Sequence, residues 1–546
     1  MRKLKDHKDS FYIFLLGVAL FMPFLGGVHL FDWDEINFAE SAREMIVSGN
    51  YLSVQINYLP FWEKPPLFIW MQVLSMKIFG INEFAARFPN AVCGIVTLLV
   101  LFHTGKKFRG NKFGWIWVMS YVGSILPFLY FKSGIIDPWF NLFIFLGIIH
   151  FVYYLLIQES RLRNLILSAL YLGLAVLTKG PVALLIFSLS FAVYLFFVRF
   201  KIKTSFRDVL IFAAILGFTA GFWFILQILS GNLGIIRDFI IYQIRLFKTE
   251  DAGHGGFLLY HFVVLFLGVF PASVFAVFAF FKKTDKSDYE KSFSLWMQIL
   301  FFTVLILFTI VNTKIVHYSS MCYFPLTFMA SLAIWRILSG EMHAGRLLRI
   351  MLGTVTVAIG AVLIIIPFID RFKDYLIAKG WIKDEFALGN LQASGNWTGF
   401  ESLVGVFFVV VSLWFTINFA KNPSRSIKGI FASSLIMVFL TMSLIAPRVE
   451  AYSQRAAIEF YRSVAGEDAY ITTLGFKSYA HLYYGEVNPP KNPSVYEKAW
   501  FLTGEIDKKV YVVFKISRKN RYLKEYPDLE IVYEKNGFVF AKRLPE

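Results

Sequence analysis

The sequence predicts a polytopic α-helical membrane protein with about thirteen transmembrane helices and a small C-terminal extracytoplasmic α/β domain. Three observations predict it. The 546 residues are 57% hydrophobic and 17% charged, with 62 Phe and 26 Tyr, a composition foreign to a water-soluble globule. Apolar runs long enough for a bilayer, which needs roughly 17–25 residues for its ~30 Å core, recur along most of the chain. After Pro447 the composition changes abruptly, and the last hundred or so residues carry much of the remaining charge.

The apolar runs fall near 11–30, 86–103, 114–131, 138–157, 165–178, 180–199, 208–230, 257–281, 293–311, 317–336, 347–368, 400–419 and 429–446. Threading them from a cytoplasmic N-terminus leaves the basic stretches Arg2 to Lys8, Lys106 to Lys112, Arg161 to Arg163, Arg199 to Arg207, Lys282 to Lys291, Arg336 to Arg349 and Lys421 to Lys428 inside. Each cytoplasmic loop is then basic, as membrane orientation requires. The net charge of +17 is thereby explained without nucleic acid as a partner.

The first run has no small-x-small cleavage pattern and is read as a retained span. Between it and the second run lies a large outer loop, 31–85, with two helices predicted to lie along the membrane surface. In the first, Phe38, Ala42 and Met45 repeat at helical spacing opposite Glu40, Arg43 and Glu44, with Gly49 as a stop. The second, Leu67 to Phe79, is opened by Pro65-Pro66, contains Lys77 and is short for a span. Cys93 and Cys322 sit inside predicted spans, so no disulfide framework or Cys-based metal site is indicated. The division is 1–446 for the membrane domain and 447–546 for the terminal domain. In the latter, Tyr452 to Val464 reads as a helix and Ala469 to Leu474, Val510 to Ile516 and Leu529 to Tyr533 as strands. An odd number of spans puts that domain outside the cytoplasm.

Ionisable residues left over from the basic-inside pattern gather on the outer face: Asp32, Asp34, Glu35, Glu63, Lys64, Asp137, Lys179, Arg245, His254, Lys314 and His317. Charge beside a bilayer is costly unless solvated, paired or functional. Mixed carboxylates and cations suit transfer of a group from a membrane-anchored phosphate: Lys and Arg stabilise charge growing on the leaving phosphate while a carboxylate takes the proton of the incoming hydroxyl. No Walker-type or dinucleotide Gly-rich loop occurs, so no nucleotide cofactor is expected. Plain structural readings stand beside these. Asp34 and Glu35 suit a helix N-terminus, Asp137 before Pro138 suits an N-cap, Glu63 and Lys64 suit a salt bridge, Lys179 and Lys314 suit snorkelling, and His254 between glycines suits a solvated loop.

An ordered set of motifs carries a resemblance: Asp34-Glu35 with Ala39-Glu40 to Arg43-Glu44-Met45, Glu63-Lys64-Pro65-Pro66-Leu67, Gly80 to Arg87-Phe88-Pro89, Leu177-Thr178-Lys179-Gly180-Pro181, Phe270-Pro271 and Lys314 to Pro325. Over roughly residues 11–330 the chain resembles the GT-C glycosyltransferases that use polyprenyl-phosphate sugars, the aminoarabinose transferase and protein O-mannosyltransferase group. The resemblance implies Asp34 as the catalytic carboxylate, with Glu35 and Asp137 beside it, and Lys64 on the lipid phosphate. It implies Glu63 with His254 near a divalent metal such as zinc. The family's Arg after the outer-loop His is missing here, and Arg245 takes its place beside Lys179 and Lys314 as a phosphate partner. The expected activity is inverting transfer of a sugar from a polyprenyl-phosphate donor to a lipid (lipid A-like) or protein acceptor at a bacterial inner membrane. A transporter or lipid flippase is the alternative, but it expects internal repeats and mid-span charge, which the sequence lacks. A silent envelope scaffold leaves the clustered charges unexplained.

Overall fold

The computed structural model describes residues 2–248, 255–280 and 287–545. Helix α1 (Arg2–Phe21) opens the chain and stops well short of the end of its apolar run at residue 30. Pro23 cannot continue the ladder, and the Lys132 ammonium donates to the carbonyls of Phe21 (3.1 Å) and Pro23 (2.6 Å), capping the orphaned helix end. The chain then runs irregularly into the outer loop.

Helix α2 (Asp34–Ser48) ends at Gly49, whose φ of 71° is left-handed. A two-residue turn at Asn57-Tyr58, both at φ 56°, joins the short strands β1 (Gln55–Ile56) and β2 (Leu59–Pro60). Helix α3 (Leu67–Phe79) and helix α4 (Glu83–Arg109) follow, the latter started by the Asn82 side chain accepting from the Ala85 amide. Phe68 and Met76, near the two ends of α3, share one core with Phe38 and Met45 of α2. Helix α3 therefore lies along α2, while Leu74 and Ile78 on its other side stay exposed.

The polar face of α2 is not solvated as its pattern suggests. Glu40, Arg43 and Glu44 are buried beneath the terminal domain. Arg43 pairs with Glu40 through two 2.7 Å bonds and donates to the Val487 carbonyl at 2.6 Å. Glu44 accepts the amides of Asn57 and Tyr58 at 2.6 and 2.7 Å. Burial, with the neighbouring Glu40 charge, pushes its carboxyl well above the usual carboxylate range.

Each of the thirteen apolar runs carries helix. Among the described residues nine helices are long and apolar enough to cross a membrane, or eleven if each of two bent pairs counts once. Those pairs are 111–122 with 125–132, bent by 84°, and 260–268 with 272–279, bent by 112°. The run at 257–281 is thus a sharply broken helix rather than a straight span. Two helices not expected from the sequence, Ile369–Ala378 and Glu385–Leu391, occupy the segment between the spans near 347–368 and 400–419.

The C-terminal sheet contains β3 (Ala469–Leu474), β4 (Lys509–Lys515), β5 (Glu530–Lys535) and β6 (Phe538–Arg543) in the order β3-β4-β6-β5. The β3–β4 pair is parallel and the other two are antiparallel. Strand β6 was not foreseen, although Asn536-Gly537, at φ 49° and 82°, is a strong hairpin signal. Phe460, Tyr483 and Phe540 join the core of α2 and α3, which fixes the small domain onto the outer loop.

Candidate functional site

A cavity of about 390 Å³ opens where the outer loop meets the ends of the membrane helices. Four chain segments bring its charges together. Asp34 stands in the first turn of α2, and Asp137 begins helix Asp137–Leu156 ahead of Pro138. Lys179 ends helix Arg161–Lys179, which is stopped by Gly180 at φ 101°. His317 lies in the 3₁₀ turn Val316–Cys322.

The imidazole of His317 sits between two carboxylates: Nε2 is 3.2 Å from Asp34 Oδ2 and 3.8 Å from Asp137 Oδ2. Lys179 Nζ donates to Asp137 Oδ1 at 2.6 Å. Their exposures differ in a way that separates their work. The Asp34 side chain is 31% exposed into the cavity, whereas that of Asp137 is 4% exposed. Burial alone would raise the Asp34 carboxyl. The His317 hydrogen bond and the charges of His317, Lys179 and Lys64 outweigh it and hold the group down at about 2. Asp34 is therefore an ionised, accessible carboxylate facing cations.

Glu63 and Lys64 line the same cavity, just ahead of α3. Their partners come from the amphipathic helix Leu233–Lys248. The Tyr242 hydroxyl donates to Glu63 Oε2 at 3.0 Å, and Lys64 Nζ lies 5.2 Å from the centre of the Tyr242 ring. The Arg245 guanidinium also lies 5.2 Å from that ring. Arg245 is one ring removed from the cavity wall, while Tyr242 and Gln243 belong to it.

Two expected site residues have other work. Glu35 lines the cavity, but its oxygens hold Arg87 at 2.9 and 2.8 Å and accept the amides of Phe31 and Gly134. Arg87 spends its remaining N–H groups on the carbonyls of Leu25, Val28 and His29 at 2.7–2.9 Å. Glu35 thus anchors the outer loop to α4 rather than offering a carboxylate to a ligand. Lys314 gives its three N–H groups to the carbonyls of Phe308, Thr309 and Val311 at 3.0, 2.7 and 2.6 Å, capping helix Asp288–Ile310. None of its donors is left for a phosphate. His254 lies outside the described residues, and no group of three or more His, Cys, Asp or Glu suited to a metal occurs among the described ones.

The terminal domain also reaches the rim. Asp32 and Trp33 line the cavity, and the side chain of Ser478 hydrogen-bonds Asp32. Desolvation there pushes the Asp32 carboxyl up to about 6, against the lowering effect of Ser478. Sequence reading singled out neither the role of His317 nor the contributions of Tyr242 and Gln243. Polar Arg237, Asp238, Gln243 and Arg245 recurring among Leu, Ile and Phe over 233–248 are the sequence signal that would have marked the helix, whose Phe239 and Tyr242 are buried.

Residues 63–225 match the family of dolichyl-phosphate-mannose-protein mannosyltransferases. The undecaprenyl phosphate-alpha-4-amino-4-deoxy-L-arabinose arabinosyl transferase of Photorhabdus laumondii is 27% identical over 367 residues, covering 66% of this chain and 65% of its own. Its namesake in Shewanella sediminis is 26% identical over 336 residues, covering 59% and 58%. The chain thus matches about three-fifths of the length of these relatives. The crystal structure of ArnT from Cupriavidus metallidurans bound to undecaprenyl phosphate superposes with a TM-score of 0.74 at 15% identity, covering 97% of both chains.

Proposed function

We propose that this chain, a polytopic membrane protein related to the GT-C transferases of the aminoarabinose transferase and protein O-mannosyltransferase group, is an inverting glycosyltransferase. It moves one sugar from a polyprenyl-phosphate carrier to a hydroxyl or phosphate on a lipid acceptor. The observation that carries this reading is one accessible carboxylate, Asp34, held ionised beside Lys64 and Lys179 in a single cavity. The names of the relatives and the shared fold support it.

In the reaction the acceptor oxygen attacks the anomeric carbon as the bond from that carbon to the carrier phosphate breaks. The proton of the acceptor goes to Asp34, and the bond's electron pair leaves with the phosphate. Lys64 and Lys179 face the growing charge on the leaving group, where fixed cations lower the barrier most. Asp137 positions Lys179, and His317 orients Asp34. A carboxylate at about 2 is a weak base before the carrier binds. Arrival of an anionic carrier neutralises the two lysines and relieves their hold on Asp34, so its basicity rises when the substrate is in place.

The orientation belongs to the same proposal: basic loops and N-terminus in the cytoplasm, cavity and terminal domain outside, in a bacterial inner membrane. We also carry a divalent metal at Glu63 and His254 as a proposal. Glu63 would supply one carboxylate oxygen, the other taking the Tyr242 hydroxyl, and the ion would add positive charge for the carrier phosphate. Chelation should then weaken binding of undecaprenyl phosphate, and zinc should restore it. Unchanged binding removes the metal.

Purified protein incubated with a panel of polyprenyl-phosphate sugars and envelope lipids, followed by mass analysis of the released carrier and glycosylated acceptor, tests the activity. Asp34→Asn keeps shape and hydrogen bonding and removes the base, so transfer should fall by about 10²–10⁴ while carrier binding persists. Turnover near wild type would remove Asp34 from the mechanism.

A further inference from the structure

Asn141 lines the cavity, yet nothing in the transfer chemistry above uses it. It lies four residues after Asp137 on helix Asp137–Leu156, one turn along and on the same face. Against that face stands the 3₁₀ turn Val316–Cys322, in which Ser320 follows His317 by three residues and so eclipses it. Four residues of α-helix rise about 6 Å, and three residues of 3₁₀-helix also rise about 6 Å. The two elements can therefore meet at two matched levels, Asp137 with His317 and Asn141 with Ser320.

The second level is the tightly bonded one. At the first, Asp137 Oδ2 and His317 Nε2 are 3.8 Å apart. At the second, Asn141 Nδ2 donates to Ser320 Oγ at 2.8 Å, and the Ser320 hydroxyl donates in turn to the His317 carbonyl. The other N–H of the Asn141 amide goes to Tyr130 Oη at 2.6 Å, so both donors are committed and neither is left for a ligand. Asn141, Ser320 and Tyr130 are all buried, where a lost partner is costly. The backbone of His317 is thereby tied to the helix that carries Asp137, while its imidazole lies 3.2 Å from Asp34 Oδ2.

We propose that Asn141, acting through the Ser320 hydroxyl, is a positioning residue of this site: it sets the register of the 3₁₀ turn and so holds the His317 imidazole against Asp34. Asn141 matters to catalysis only as far as Asp34 is the base of the transfer, the reading on which this role rests.

The protonation state of Asp34 reports the role without turnover. A water-soluble carbodiimide modifies a carboxyl only when it is protonated, and mapping labelled peptides of full-length protein in nanodiscs assigns the label to Asp34. His317, Lys179 and Lys64 face Asp34, with Asp137 behind the imidazole, and the lysines stay in place in every variant. Wild type, with Asp34 at about 2, should resist labelling at about pH 5. Asp32, at about 6, should label in every protein and serves as the reference. His317→Gln, Asn141→Leu and Ser320→Ala should each raise the labelling rate of Asp34 by about tenfold or more, since one pH unit is a tenfold change in the protonated fraction. Adding Asn141→Leu to His317→Gln should raise it no further. Ser320→Ala, the smaller change, carries the test should Asn141→Leu not fold. The role is overturned if Ser320→Ala and Asn141→Leu leave Asp34 as unreactive as wild type does, or if Asn141→Leu still raises labelling when His317 is already gone. It is also overturned if Glu35, clamped to Arg87, becomes labelled along with Asp34, which marks a general loosening. The expected labelling in a protein that moves no sugar would sink the transfer reading and leave the positioning role standing. Unchanged labelling in an active transferase would do the reverse.

Discussion

Asp34 and Asp137 flank one imidazole, and the difference in their remaining partners gives them different work. Asp137 is closed in and pinned to Lys179, while Asp34 keeps an open side toward the cavity. The pH dependence follows from its environment. Asp34 acts when deprotonated, and its value of about 2 lies below the ordinary 3.8. Its contribution to stability is present above the ordinary value and is lost as pH falls through about 2. Free-enzyme kcat/KM should therefore show no acid limb from this group above pH 4. His317→Gln removes the leading opposition to burial, so the group's value should climb and an acid limb should enter the range above pH 4. A profile unchanged by this substitution would mean that His317 does not set the state of Asp34. Charge at a bilayer boundary made Asp34, Lys64, Asp137 and Lys179 legible in the sequence. Glu35 and Lys314 carry the same signal, and only their partners, Arg87 and a helix end, distinguish structural charges from those facing a ligand.

Helix α2 owes its place to the clamp between Glu35 and Arg87. Both side chains are almost completely buried, at 3% and 4% exposure, and the guanidinium ties the loop after α1 to α4 through three carbonyls. Removing one partner of such a pair strands a buried charge and costs about 3–5 kcal/mol. Arg87→Met should accordingly lower the thermal midpoint in nanodiscs strongly. Because Asp34 directly precedes Glu35, it should also reduce carrier turnover. Retention of the wild-type midpoint would show that the clamp is not what holds the loop. Sequence periodicity located α2, α3 and the limits of β3. It assigned the wrong environment to Glu40, Arg43 and Glu44 because a helical polar stripe looks the same whether it faces water or another domain. The broken helix at 260–279 was read as one span for a similar reason: hydropathy registers length in sequence, not the 112° bend near Pro271.

At the scale of the molecule, the proposal depends on which compartment the cavity faces. The fold joins the outer loop, the helices at 369–391 and the terminal domain on one side: Trp397 Nε1 donates to the Tyr452 hydroxyl, Phe386 packs on Phe538, and Val487 accepts from Arg43. Whatever compartment contains the terminal domain also contains the mouth of the cavity, with Asp32 and Ser478 at its rim. The basic stretch 421–428, the turn and first residues of helix 423–452, belongs to the opposite side if helices 402–420 and 423–452 each cross once, as their lengths and hydropathy allow. Cysteines placed at Ser424 and Asn520, both exposed, should therefore react with an impermeant thiol reagent from opposite faces, Asn520 from outside in intact cells and Ser424 only after the membrane is opened. The native Cys93 and Cys322 are buried and give little background. Labelling of both from one side would mean that helix 423–452 does not cross. Labelling of Asn520 only from within would turn the cavity toward the cytoplasm and the basic stretches outward, against both the basic-inside pattern and the proposed orientation.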